Sequence, residues 1–295
     1  MSYAPHAAFI APARARSEIW RLLAGLVLIA VIILGLTSVF QILIGRLASP
    51  ELYYDISRAE RMGSTTAGVL LLLFSFVFMI IATAMVTAQL HRRSPLSLLG
   101  PIPLLLRQFA AVVTILIVLS VAILVLPPYS LADPVLPGLP PLTWMLLLPL
   151  SLGALLIQTG AEEILFRGYL QQQLAARFRS PLIWMAAPAA IFGLLHYRPE
   201  MGGNAVVVML WAAGFALAAA DLTARAGSLG PAIALHFVSN ASALLFLSSD
   251  DSLSGLALFR IEIDISDPAA LGPYLMLDSA LILIGWLAAR LAIRR

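Results

Sequence analysis

Eight apolar segments, most of them long enough to cross a bilayer, constrain everything else this chain can do. They lie near Trp20–Ile44, Ala67–Leu90, Leu104–Leu126, Leu142–Ala175, Leu182–His196, Ala205–Leu222, Leu229–Leu247 and Gly272–Ala289. About twenty apolar residues are needed to span the hydrocarbon core as a helix. The 295 residues are 61% hydrophobic and 11% charged, whereas a soluble domain is roughly half apolar and a quarter charged. The expected fold is all-α: a polytopic membrane protein of about eight transmembrane helices, with a buried cavity open to the cytoplasm. Residues 1–18 read as a cytoplasmic tail and 19–295 as one transmembrane domain. The first span is too long for a signal-peptide core and is expected to stay uncleaved. Pro127-Pro128 and Pro137 to Pro141 mark one extended loop, and Pro149 is a candidate break in the over-long fourth segment.

Charge orients the spans. All 18 cationic side chains are arginine. With the N-terminus in the cytoplasm and eight crossings, Arg14, Arg16, Arg21, Arg92, Arg93, Arg107, Arg177, Arg179, Arg225, Arg290, Arg294 and Arg295 fall inside. Arg46, Arg58, Arg61, Arg198 and Arg260 fall outside, together with acidic residues including Glu60, Asp133, Asp250 and Asp251. This is the asymmetry of a cell-membrane protein whose two termini are cytoplasmic. The arginines flank apolar spans, so the lipid bilayer is the implied partner and nucleic acid is not. The lack of lysine beside abundant Ala and Leu points to a prokaryotic source. There is no cysteine, which excludes disulfides, thiolate metal sites and a cysteine nucleophile.

Three polar intrusions break the apolar pattern. The first is Glu162-Glu163 with Arg167, the second His196, and the third His236 with Asn240. Ionisable groups inside a membrane domain are costly and mark function by default. Glu163 and Arg167 are spaced i,i+4 and share a helix face, so they should pair and support the site. Glu162 points about 100° away and is the carboxylate left for chemistry. His236 and Asn240 are again i,i+4. Alone, His196 reads as an interfacial residue and the His236–Asn240 pair as a hydrogen bond between helices. The other polar residues carry blander readings. His6 falls in the polar tail, His91 at the interface beside Arg92 and Arg93, and Asp278 near the outer end of the last span. Gln158, one turn before Glu162, is a candidate supporting residue. Ser239 points to another face than its neighbours, and Ser254 lies in an outside loop away from either histidine, which leaves a serine protease without its pair.

The sequence Glu162-Glu163-x-x-x-Arg167, followed by Phe192-x-x-x-His196 and His236-x-x-x-Asn240, resembles the three-motif signature of the CPBP family. That family of intramembrane metalloprotease or glutamic-type endopeptidases includes the type II CAAX prenyl endopeptidases and Abi-related prokaryotic proteins, some linked to bacteriocin processing or self-immunity. The resemblance places the core at about 142–250. It implies an intramembrane endopeptidase acting on a lipidated or hydrophobic peptide, prenylated in the best-known members. Glu162 would activate water with help from His196, while His236 and Asn240 would form an oxyanion hole.

No cofactor is expected. A zinc ion held by Glu162, His196 and His236 is the main mechanistic rival, since two histidines and a glutamate with an open position form a known catalytic set. No His-Glu-x-x-His helix accompanies them, and the nearest remaining carboxylate, Glu163, is expected on Arg167. A non-catalytic membrane scaffold or bacteriocin-immunity protein that binds peptides is the alternative from a different class. A small-solute transporter is disfavoured by the absence of repeated broken helices.

Overall fold

The structure, a computed structural model, describes residues 3–58, 62–126, 134–249 and 253–294. Pro127-Pro128, Glu60, Arg61, Asp133, Asp250, Asp251 and Arg295 lie outside the described residues. Within them the chain is a helical membrane bundle. Six helices are long and apolar enough to span: Ile19–Leu47, Thr66–Gln89, Pro95–Val125, Pro141–Arg177, Asn204–Ala226 and Pro268–Ala292. Two shorter apolar helices, Leu182–Leu195 and Gly230–Phe246, complete the set of eight.

In chain order the α-helices are α1 (Ala4–Phe9), α2 (Ile19–Leu47), α3 (Pro50–Ser57), α4 (Thr66–Ser75), α5 (Val77–Gln89) and α6 (Ile102–Val125). They continue with α7 (Pro141–Glu163), α8 (Gln172–Arg177), α9 (Ala187–Leu195), α10 (Asn204–Ala226), α11 (Gly230–Ala241) and α12 (Pro268–Ala292). The fourth segment is not broken at Pro149, which α7 runs through. Its geometry changes later, where Ile164–Gln171 forms a π-helix immediately after the two glutamates. π turns also open the fifth segment (Leu182–Ala186) and close the seventh (Ser242–Phe246). Such wide turns recur at functional sites because they re-aim side chains without ending the helix.

Three short strands form a small sheet that hydropathy did not reveal: β1 (Val135–Pro137), β2 (Leu247–Ser249) and β3 (Phe259–Ile261). Strand β3 is central, antiparallel to β1 and parallel to β2. The sheet ties the loop before α7 to the end of the seventh segment, where Trp144 Nε1 donates to the Leu245 carbonyl (2.8 Å).

The opposite end of the bundle holds both chain termini. Tyr3 donates its hydroxyl to Asp221 Oδ1 (2.8 Å) and Trp286 Nε1 donates to Asp221 Oδ2 (3.0 Å), with Arg225 paired to the same carboxylate at 2.7 Å.

His6 is not in a solvated tail. It is 4% exposed, its ring 4.5 Å from that of Trp184 and its Nε2 3.4 Å from Gln171 Nε2. His91 is likewise buried, with Nε2 2.8 Å from the Tyr169 hydroxyl. The hydropathy pattern misses both because their covering partners, Trp184 and Tyr169, are remote in sequence. Burial pushes the His6 imidazole down from 6.5 to about 4. A group that releases its proton on folding stabilises the fold at high pH. Its contribution is full above 6.5, falls as the pH drops from 6.5 toward 4, and amounts to about 3 kcal/mol. Intrinsic-rate-corrected hydrogen exchange of residues 4–16 should therefore show protection lost over that window. His6→Phe should flatten the dependence.

Candidate active site

The three motifs arrive on three elements that local geometry brings to one place. The end of α7 carries Gln158, Glu162 and Glu163, the end of α9 carries His196, and α11 carries His236 and Asn240. In α9, Gly193 makes the approach to α10 possible. A Cβ there would sit 2.6 Å from the Met209 carbonyl and 3.0 Å from the Ala213 methyl. Close contact brings His196 to the wall formed by Trp211, Ala212 and Phe215 of α10. Together with Gln158, Glu162, Phe192, His236, Ser239 and Asn240 they line a cavity of about 80 Å³. Ser239 therefore borders the cavity and does not turn away from it, because a residue three positions after His236 lies on nearly the same helix face.

The two adjacent carboxylates have different surroundings. Glu163 is fully buried, with Oε1 accepting from Arg167 NH1 at 3.1 Å and from His236 Nδ1 at 2.8 Å. Arg167, 1% exposed, spends its other amino group on the Ala216 carbonyl (3.1 Å) and lies 5.1 Å from the centre of the Phe192 ring. Unpaired charge is expensive in such a place, and this pair satisfies itself while anchoring α11 through His236. Glu162 faces the cavity. Its Oε1 accepts from Gln158 Nε2 (2.8 Å) and its Oε2 stands 3.6 Å from His236 Nε2.

Asn240, His236 and His196 line the same cavity. Asn240 Nδ2 donates to Gln158 Oε1 (2.9 Å). His236 is held by Glu163 and packs edge-on to Phe215 with ring centroids 4.9 Å apart. His196 gives its Nδ1–H to the Phe192 carbonyl (2.8 Å), one turn back on its own helix, and lies 4.5 Å from the Phe192 ring. That bond fixes the imidazole with Nε2 as its free nitrogen.

All six sequence-predicted residues thus meet: Glu162, His196, His236 and Asn240 at the cavity, with Glu163 and Arg167 behind it. Sequence reasoning missed Trp211 and Phe215, whose apolar character hid them within α10. Asp278 is paired: it accepts from Trp211 Nε1 at 2.9 Å, a contact between α12 and α10 that no local spacing announces.

Zinc at Glu162, His196 and His236 is the rival arrangement. Among the described residues no three His, Asp or Glu side chains converge to hold a metal ion. One Glu162 oxygen is bonded to Gln158, and the cavity's other polar side chains, Ser239 and Asn240, are uncharged.

Beside this cavity runs a larger apolar groove of about 770 Å³ between α10 and α12. Trp211 and Phe215 line both, so one pair of aromatic rings separates the polar cavity from the groove.

Comparison with known proteins finds similarity over the part of the chain that holds the cavity. Residues 142–242 match the family model described as type II CAAX prenyl endopeptidase Rce1-like. A protein of Bacillus subtilis (strain 168), the uncharacterized YyaK, is 31% identical over 100 residues, which are 34% of this chain and 33% of that protein. The match thus spans about a third of the relative's length. No solved structure matches significantly. The matched stretch holds the three motifs and the whole cavity wall, and over residues 142–242 this multi-pass membrane protein is similar to the Rce1-like type II CAAX prenyl endopeptidases.

Proposed function

We propose that this site hydrolyses a peptide bond in a lipidated or hydrophobic peptide, using water activated by Glu162. The observation that carries the reading is the division of labour between the two carboxylates. Glu163 is committed to Arg167 and His236, while Glu162 faces a cavity whose far side offers Asn240 and His236.

In this reading Glu162 takes a proton from water as the oxygen attacks the carbonyl carbon. A positioned base of this kind contributes about 10²–10⁴-fold. The negative charge that develops on the carbonyl oxygen is met by an N–H of Asn240 and by Nε2–H of His236. In this scheme both ring nitrogens of His236 donate, Nδ1 to Glu163 and Nε2 to the oxyanion. The tetrahedral intermediate collapses as the C–N bond breaks. Its proton passes from Glu162, with His196 Nε2 as relay, to the leaving nitrogen. The products are a carboxylate and an amine, with one water consumed.

The neighbouring groove supports an apolar substrate. It would hold a hydrocarbon chain on one side of Trp211 and Phe215 while the peptide bond enters the cavity on the other. The arginine asymmetry and the shared side of both termini favour a site reached from the cytoplasm.

The direct test is incubation of the purified protein in detergent with a farnesylated Cys-a-a-X peptide, assaying tripeptide release. Wild type should cut. Asn240→Ala should lower single-turnover cleavage by about 10²–10³-fold, the usual effect of losing one oxyanion donor, with little change in affinity. A wild-type protein that binds the peptide and leaves it whole would favour the scaffold alternative. Cleavage should also survive exhaustive chelation. Loss of activity with a stoichiometric metal, restored on adding that metal back, would overturn the metal-free scheme.

A further inference from the structure

We propose that Gln158 is the positioning residue of this site, coupling Glu162 to Asn240 and fixing which side of the Asn240 amide faces the substrate. The inference rests on the reading of Glu162 as base and Asn240 as oxyanion donor.

The argument is one of hydrogen-bond polarity. Gln158 is 6% exposed and makes two bonds across the cavity floor. Its Nε2 donates to Glu162 Oε1 at 2.8 Å and its Oε1 accepts from Asn240 Nδ2 at 2.9 Å. An ionised carboxylate only accepts. Glu162 therefore requires the amino end of Gln158, which turns the carbonyl end toward α11. Asn240 must answer with its own amino group. One of its two N–H bonds is spent on Gln158, the other is left for the cavity, and its carbonyl is turned away from the place where an oxyanion forms. Each link has one permitted orientation, so the ionised base dictates the orientation of the donor.

Without Gln158 the Asn240 amide loses the bond that selects one of its two rotations. Half a turn would present Oδ1, a partial negative charge, where negative charge must develop. Nδ2 could also swing toward Glu162 and compete with water for the base. Gln158 touches neither the water nor the scissile bond in this scheme. It acts through Asn240, which is what a test must isolate.

Gln158→Met keeps the volume and removes both bonds. Loss of one neutral hydrogen bond that acts on the transition state corresponds to about ten-fold. Gln158→Met should therefore lower kcat by about ten-fold with KM nearly unchanged. In an Asn240→Ala background the same change should lower kcat by less than about two-fold, since residues that act as a unit are not additive. A full ten-fold loss in that background, or a wild-type kcat for Gln158→Met, would overturn the proposal.

A second measurement does not depend on cleavage. The Asn240 side-chain amide, followed by ¹H–¹⁵N correlation in detergent with Asn240→Ala for assignment, should show one slowly exchanging pair of signals in wild type. Gln158→Met should leave that pair averaged and rapidly exchanging, while backbone signals of α7 and α11 stay in place. An unchanged Asn240 pair would remove the coupling even if the peptide is cut. The expected change together with an uncut peptide would keep the coupling and remove the peptidase reading.

Discussion

Glu162→Gln is expected to reduce peptide cleavage by about 10³-fold or more while leaving the fold and substrate binding in place. The substitution removes basicity and almost no volume, and a well-placed base accounts for rate factors of this order. The variant's amide oxygen can still accept from Gln158 Nε2. Two assays decide the matter: single-turnover cleavage, and separate binding of the uncut peptide. Near-normal turnover in Glu162→Gln, with Glu163→Gln alone inactive, would reverse the assignment of the two carboxylates. Glu162 is assigned as the base because it borders the cavity, whereas Glu163 holds two partners and forms no part of the cavity wall.

The largest effect on stability should come from the pair behind the site. Arg167→Met leaves Glu163 fully buried with His236 alone for compensation, and Glu163→Gln leaves Arg167 without its carboxylate. Breaking one half of a buried pair costs about 3–5 kcal/mol, because the remaining charge has lost its partner in a poor dielectric. Reversible unfolding in mixed micelles should register that loss for each variant. The double variant Glu163→Gln/Arg167→Met should recover part of it. An Arg167→Met protein as stable as wild type would mean that the pair contributes nothing to the fold and serves only to orient His236.

Much of the site was legible in the sequence because membrane burial makes polar residues conspicuous. Glu162, Glu163, Arg167, His196, His236 and Asn240 stand out against apolar neighbours, and i,i+4 spacing predicts the Glu163–Arg167 bond that forms. The eight apolar segments were equally plain. What the sequence did not disclose depends on contacts between distant segments. Helix α1 buries His6 against Trp184, the Tyr169 hydroxyl reaches His91, and Asp278 holds Trp211. None of these has a period or a motif. The π turns are invisible for a related reason: Ile164–Gln171 has the composition of an ordinary helix, and only its packing widens the turn. Pro149 was a misleading sign. A proline removes one donor, and α7 continues past it where the tight bend of a break was expected.

The clasp at Asp221 bears on what can be separated from what. Asp221 lies within the stretch that matches the family, yet its carboxylate is gripped from outside that stretch at both extremes of the chain, by Tyr3 and by Trp286. The cavity has the same dependence, since Asp278 of α12 orients the Trp211 indole in its wall. The matched segment thus takes contacts that complete it from outside its own bounds. Excised at 142 and 242, it would lose the outer helices that close α10 on both sides, and with them the enclosure that makes its polar residues chemically useful.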